Sequence, residues 1–171
     1  MKAGAAPGSA SVEMIRTLIG FPTVSRDSNL ELIHYLRDYL KPYVTDVRLT
    51  HDDDRRKANL FATLGSGQGG VVLSGHTDVV PVEGQPWDHD PFTLVERQGR
   101  LFGRGTADDK GQIFIHFKAL EAYKENGVPL PINIKMLVEG EEEVGSPSLK
   151  EFCRMMILKE GNSTTQGLLS L

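Results

Sequence analysis

The residues of this chain best suited to chemistry fall in three short stretches. Ser74-Gly75-His76-Thr77-Asp78 sets an imidazole two residues from a carboxylate, Gly103 to Gly111 carries Asp108 and Asp109, and Glu139 to Glu143 holds Glu139, Glu141, Glu142 and Glu143. Side chains alternate along extended backbone, so His76 and Asp78 point to one side. A ligand imidazole needs a second group to fix its tautomer, and a neighbouring carboxylate does that. Taken alone, His-x-Asp reads first as a turn histidine beside a solvated aspartate. One imidazole together with carboxylates from the other two stretches is a donor set for zinc, with cobalt and manganese as alternatives. A bridging carboxylate would hold two ions about 3.5–4 Å apart. A carboxylate left outside the donor set can serve as general base toward water.

Each stretch stands at the end of an expected core element. The apolar run Val71-Val72-Leu73 reads as a buried strand that delivers His76. A helix is expected from about Gly111 to Asn126, with Ile113, Phe114, Phe117, Leu120 and Tyr123 apolar and Gly127 as its stop. After Pro131, the alternation of Ile132, Ile134, Met136 and Val138 predicts a strand that empties into the glutamates. Carboxylates at the end of a buried strand are costly unless a cation or solvent takes them up. Ser146 as N-cap and Pro147 at the first helical position then open a helix with Leu149, Phe152, Cys153, Met156 and Ile157 on its apolar side, closed by Gly161.

Upstream, Ser11 caps a helix with Val12, Ile15, Leu18 and Ile19 at helical spacing, ended by Gly20 and Pro22. Ser28 and Glu31 have capping-box spacing ahead of the stripe Leu32, Ile33, Leu36, Tyr39 and Leu40, which Pro42 stops. Strands follow at Val44 to Leu49 and Asn59 to Leu64, with a flexible turn from Gly65 to Gly70. Gly84 to Phe92 is a surface loop anchored by Trp87 and Phe92, and a hairpin turns at Gln98-Gly99. Helices alternating with strands over short connections argue for one α/β layered domain.

Other candidates carry weaker chemistry. His51 to Lys57 is a charge run without calcium-loop spacing and reads as a solvated hairpin loop. Gly103-Arg104-Gly105 lacks the rest of a phosphate-loop signature, and Asp108 and Asp109 would repel a phosphate. His34 and His116 lie on helices as surface or packing residues, and His89 sits between Asp88 and Asp90 in an irregular loop.

Bulk properties exclude several function classes. A net charge of -4 over 171 residues offers no general attraction to nucleic acid or to anionic membrane surfaces. No apolar run approaches the roughly 20 residues that span a bilayer. The single Cys153 forms no internal disulfide, and the leader has no apolar signal region, so a cytoplasmic location is expected.

In order along the chain, SGHTDVVP, LFGRGTADDKG and EGEEEVGS resemble the motifs of the M20 family of zinc aminoacylases and dipeptidases, over roughly Ser11 to Phe152. The resemblance implies an α/β catalytic domain, a mixed sheet with flanking helices, and a pair of zinc ions. It implies His76, Asp108 and Glu143 as metal ligands, with Asp108 bridging both ions and often followed by a cis peptide. Asp78 would orient His76, and Glu142 would be the general base. Asp109 and Glu141 stand where the family varies, and neither receives a role.

The segment Ser11 to Ile33, SxxMIRxLIxFxTVSRDSNLxLI, and GHTDVVPVEGQPW are most similar to the acetylornithine deacetylase branch, whereas GRGTADDKGQIFIHFKALEAY and VEGEEEVGSPSL look more like the dipeptidase branch. The implied partner is a small N-acyl amino acid or a dipeptide, and family members of full length form homodimers. The family also carries a further acidic ligand and a late histidine, with a lid and dimerisation domain between them. After Glu143 this sequence offers only Glu151 and Glu160 and no histidine. The expectation is therefore a C-terminally truncated catalytic domain over 1–161, a tail over 162–171, no lid domain, and weak turnover or a non-catalytic metal-binding role.

Overall fold

The computed structural model describes residues 7–65, 70–130, 132–150 and 152–153. The expected tail, the later part of the last helix with Met156, Ile157 and Gly161, and most of the Gly65 to Gly70 turn lie outside the described residues, as do Pro131, Glu151 and Glu160.

Helix α1 runs Pro7–Ile19 and α2 runs Leu30–Leu40, followed by the strands β1, Asp46–His51, and β2, Ala58–Leu64. Then come β3, Val71–His76; the short pair β4, Val95–Arg97, and β5, Arg100–Phe102; helix α3, Lys110–Glu125; and β6, Ile134–Glu139. The main sheet has the order β1-β2-β6-β3. β1 pairs antiparallel with β2 and β2 antiparallel with β6, while β3 runs parallel to β6 with His76 opposite Glu139. The sheet is mixed, as expected.

The three helices pack on one sheet face. Leu18, Leu32, Ile33, Leu36, Ile113, Phe117 and Leu120 meet Leu60, Ala62, Met136 and Val138 there, all buried. Against the other face, Phe61 and Leu137 bury with Phe152. β6 lies between β2 and β3 and is covered on both faces, so Leu137 and Glu139 are buried as well as Met136 and Val138. Simple alternation missed this.

Several expectations shift. α1 begins at Pro7 rather than after Ser11, since proline suits a first helical position. Ser28 and Glu31 form no capping box: Asn29 is the N-cap, and its amide instead bonds both backbone groups of Ala58 at 2.9 Å. Among the described residues β3 is an edge strand rather than a buried one, with Val71 46% exposed. Ile132 precedes β6 and is exposed. Ser146 has φ of 53°, in the left-handed region, so it is no helix cap, and helical backbone starts at Leu149. The hairpin turn is as expected, with Gln98 and Gly99 both at positive φ.

Between α2 and α3, Glu121 accepts hydrogen bonds from the Tyr39 hydroxyl and from Lys118 Nζ. Burial pushes the Glu121 carboxyl up, but Lys118 and Tyr39 outweigh it and hold it below its ordinary value of 4.5. The folded chain thus binds that proton less readily than the unfolded chain does. The resulting stability is present above about pH 4.5 and is lost as pH falls through the folded value. Glu121→Gln is expected to flatten this acid limb, reducing the loss between about pH 5 and pH 3 by roughly 0.5–1 kcal/mol. Urea unfolding of both proteins across that range checks it; parallel profiles would count against the assignment.

Candidate metal centre

Three chain ends meet at the edge of the sheet. β3 ends at His76, the start of α3 presents Asp108 and Asp109, and β6 releases Glu142 and Glu143 in a short 3-10 turn closed by Gly145. The turn is possible because Gly145 takes φ of 90°, which a side chain would resist. The peptide between Asp108 and Asp109 is cis, as the family resemblance implied.

His76 Nε2 lies 2.9 Å from Asp108 Oδ1 and 3.8 Å from Glu142 Oε2. One ligand atom each from His76, Asp108 and Glu143 falls within 4.8 Å of the others. On the far side of the ring, Nδ1 faces the Asp78 carbonyl at 3.0 Å and Asp78 Oδ1 at 3.4 Å. Both of those atoms are acceptors, so Nδ1 carries a proton, and a cation bound at Nε2 would take the place of the proton that Nε2 shares with Asp108. Burial disfavours charge on His76, yet the bond and charge of Asp78 prevail and raise its pKa to about 9. With Asp108 and Glu143 beside one imidazole, the donor set suits a divalent cation, which would displace the Nε2 proton.

Asp78 does more than face His76. Its carboxylate is fully buried and accepts from Ser25 Oγ at 2.8 Å, from Glu142 N–H at 3.1 Å and from Glu143 N–H at 3.2 Å. Burial pushes its pKa up, but His76, Ser25 and the Glu142 amide outweigh that and hold it low. Burial, then the charge of Asp108, pushes the Glu143 carboxyl up. A bound cation would relieve that repulsion. Glu142 is half exposed at the rim, while Asp108 is 73% exposed.

The sequence reading left several supports unassigned. Asp109 Oδ2 accepts the His76 backbone N–H at 3.0 Å, locking β3 to α3. Lys110 is fully buried, donates to the Phe21 carbonyl at 2.6 Å, and has its pKa pushed down to about 7 by burial, against the pull of Asp78. Glu141 is buried and accepts from Ser148 Oγ, while burial raises the Glu139 carboxyl and a bond with Ser146 partly offsets it. Neither belongs to the converging set. Lys57, read as part of a solvated charge run, is buried. The other four histidines stay apart from the centre: His34 is exposed, His51 is exposed at the end of β1, His116 is half-buried on α3, and His89 bonds Asp88 at 2.5 Å beside Trp87.

Fold and site together define a class, an α/β domain whose strand and helix ends carry an imidazole–carboxylate centre suited to a divalent cation. The chain belongs to peptidase family M20/M25/M40, whose profile matches residues 72–166. It is 37% identical over 148 residues to acetylornithine deacetylase of Proteus mirabilis, covering 82% of this chain and 38% of that protein. Human carnosine dipeptidase 1 superposes with a TM-score of 0.77 at 27% identity, covering 88% of this chain and 36% of that one. The M20 family metallo-carboxypeptidase Sso-CP2 of Sulfolobus solfataricus superposes with a TM-score of 0.76 at 23% identity, covering 88% and 35%. The chain thus spans little more than a third of the length of these relatives. Among the described residues, no helix is long and apolar enough to cross a membrane.

Proposed function

We propose that this chain carries the centre of an M20-type amide hydrolase, in which His76, Asp108 and Glu143 hold a divalent cation, zinc in preference to cobalt or manganese. The observation behind this is the convergence of those three donors within 4.8 Å. Asp108 would be the carboxylate shared with a second ion where two are bound. When bound, the metal polarises the scissile carbonyl and acidifies water. Asp78 keeps the proton on His76 Nδ1 and so holds Nε2 in its ligand form. Glu142, at the rim, accepts the proton of the attacking water and passes it to the leaving nitrogen as a C–O bond forms and the C–N bond breaks.

The substrate is an N-acetylated amino acid such as N-acetylornithine, supported by the 37% identity to a deacetylase. That would set the reaction in arginine synthesis, in the cytoplasm. A dipeptide is the second reading, favoured by the TM-score of 0.77 with a carnosine dipeptidase.

Calorimetric titration with zinc, followed by assays on N-acetylornithine and simple dipeptides, tests the proposal. Wild type is expected to bind zinc saturably, and His76→Ala and Asp108→Ala to bind at least about 30-fold more weakly, within the range for lost ligand support. Unchanged affinity in both variants would sink the metal reading. Preferential release of acetate supports the deacetylase, and cleavage of dipeptides alone supports the second reading. Binding without turnover of either would mark the chain as a non-catalytic metal-binding unit.

A further inference from the structure

Lys57 directly precedes β2, and extended backbone running into the strand puts Lys57 and Asn59 on one face. Both side chains are buried. Lys57 Nζ donates to the Gly140 carbonyl at 3.2 Å and to the Ser25 carbonyl. Asn59 Oδ1 accepts the Gly140 N–H at 3.2 Å, and its Nδ2 donates to Ser148 Oγ at 3.1 Å. Ser148 in turn donates to Glu141. Both polar groups of Gly140 are therefore held by side chains from one strand start, directly before the Glu142–Glu143 turn.

The contacts close into a ring. From Gly140 the chain runs to Glu142 and Glu143, whose N–H groups bond Asp78; Asp78 accepts from Ser25; and the Ser25 carbonyl returns to Lys57. Gly140 itself has no room for a side chain, since a Cβ there would sit 1.8 Å from Asn29 Nδ2. A buried ammonium is costly to desolvate, and an apolar side chain of similar length would avoid that cost. What the ammonium supplies is a directional hold on two carbonyls from different segments.

We propose that Lys57 and Asn59 are positioning residues for the metal centre. They fix where the turn leaves β6, and so where Glu143 meets His76 and Asp108. This rests on the reading that those three residues bind a divalent cation.

The test uses cobalt(II), whose visible absorption reports its coordination, with affinities from chelator competition for wild type, Lys57→Met, Lys57→Arg and Asn59→Ala. Lys57→Met and Asn59→Ala are expected to unfold cooperatively yet bind cobalt at least about tenfold more weakly, with an altered visible band. Lys57→Arg, which keeps donors in reach of both carbonyls, should recover most of the affinity and the wild-type band. A general loss of packing would not be rescued this way. Wild-type affinity and spectrum in both Lys57→Met and Asn59→Ala would overturn the positioning role while leaving the metal centre intact. Absence of saturable cobalt binding by wild type would overturn the metal reading and this one with it. Should Lys57→Met fail to fold, Lys57→Gln carries the same test: tenfold weaker binding supports the role, and wild-type affinity refutes it.

Discussion

Asp78→Ala is expected to weaken divalent-cation binding by about 100-fold and to cost roughly 3–5 kcal/mol of folding stability. The size of both effects follows from how many segments share one carboxylate. Ser25, Glu142 and Glu143 all donate to it, and His76 Nδ1 faces it from the fourth side. Alanine would leave two backbone N–H groups without their acceptor, each worth about 1–3 kcal/mol when buried, and would leave the Ser25 hydroxyl only the Val79 carbonyl at 3.3 Å. It would also remove the carboxylate at 3.4 Å from the imidazole and leave only the Asp78 backbone carbonyl at 3.0 Å to orient the ring, which accounts for the loss of affinity. Asp78→Asn separates the two contributions. Its carbonyl oxygen still accepts from one glutamate amide, but its amino group meets another donor, so stability should recover in part while affinity stays low. Chelator competition and urea unfolding of the pair provide the measurements. Wild-type cation affinity in Asp78→Ala would show that Asp78 does not orient His76.

How far the sequence discloses this arrangement depends on the kind of interaction. His76, Asp78, Asp108, Glu142 and Glu143 are legible because each stands at the end of an apolar run, where hydrophobic periodicity and chemically conspicuous side chains change over together. The fold class is legible for the same reason. Asp109 is not, because its task is to accept a backbone N–H from a residue far along the chain, and no local pattern records a partner of that sort. Lys57 is obscured by its neighbours: in a run of Asp52 to Arg56 it looks solvated, and only the pairing of β1 with β2 shows that the strand has already turned inward there. Asn29 shows how tertiary contacts override local rules. Its amide is recruited by Ala58, so the cap expected at Ser28 and Glu31 does not form. The edge position of β3 could not be read from Val71 to Leu73 at all, because an apolar run is the same whether a strand has one neighbour or two.

Gly75 is a further residue that motif reading passes over, and Gly75→Ala is the second substitution with a large expected effect. A Cβ at that position would stand 2.2 Å from Ile113 Cγ2 and 2.6 Å from Asp109 Oδ2. Ile113 is 1% exposed within the helix core, and Asp109 is committed to the His76 N–H, so neither can yield without disturbing a neighbour. The added methyl must push the start of α3 away from β3. Overpacking of this kind costs about 3 kcal/mol, the upper end of its usual range. The same displacement carries Asp108 away from His76 Nε2, so cation affinity should fall roughly tenfold alongside stability. Ile113→Leu removes the branching methyl that causes the closest clash and alone should cost less than about 1.5 kcal/mol. The double variant is therefore expected to be more stable than the two single effects sum to, by about 1 kcal/mol or more. Urea unfolding around that cycle decides the matter. Additive effects would mean that the close approach of β3 to α3 is not what requires glycine, and that Asp109 alone sets the spacing that brings Asp108 to His76.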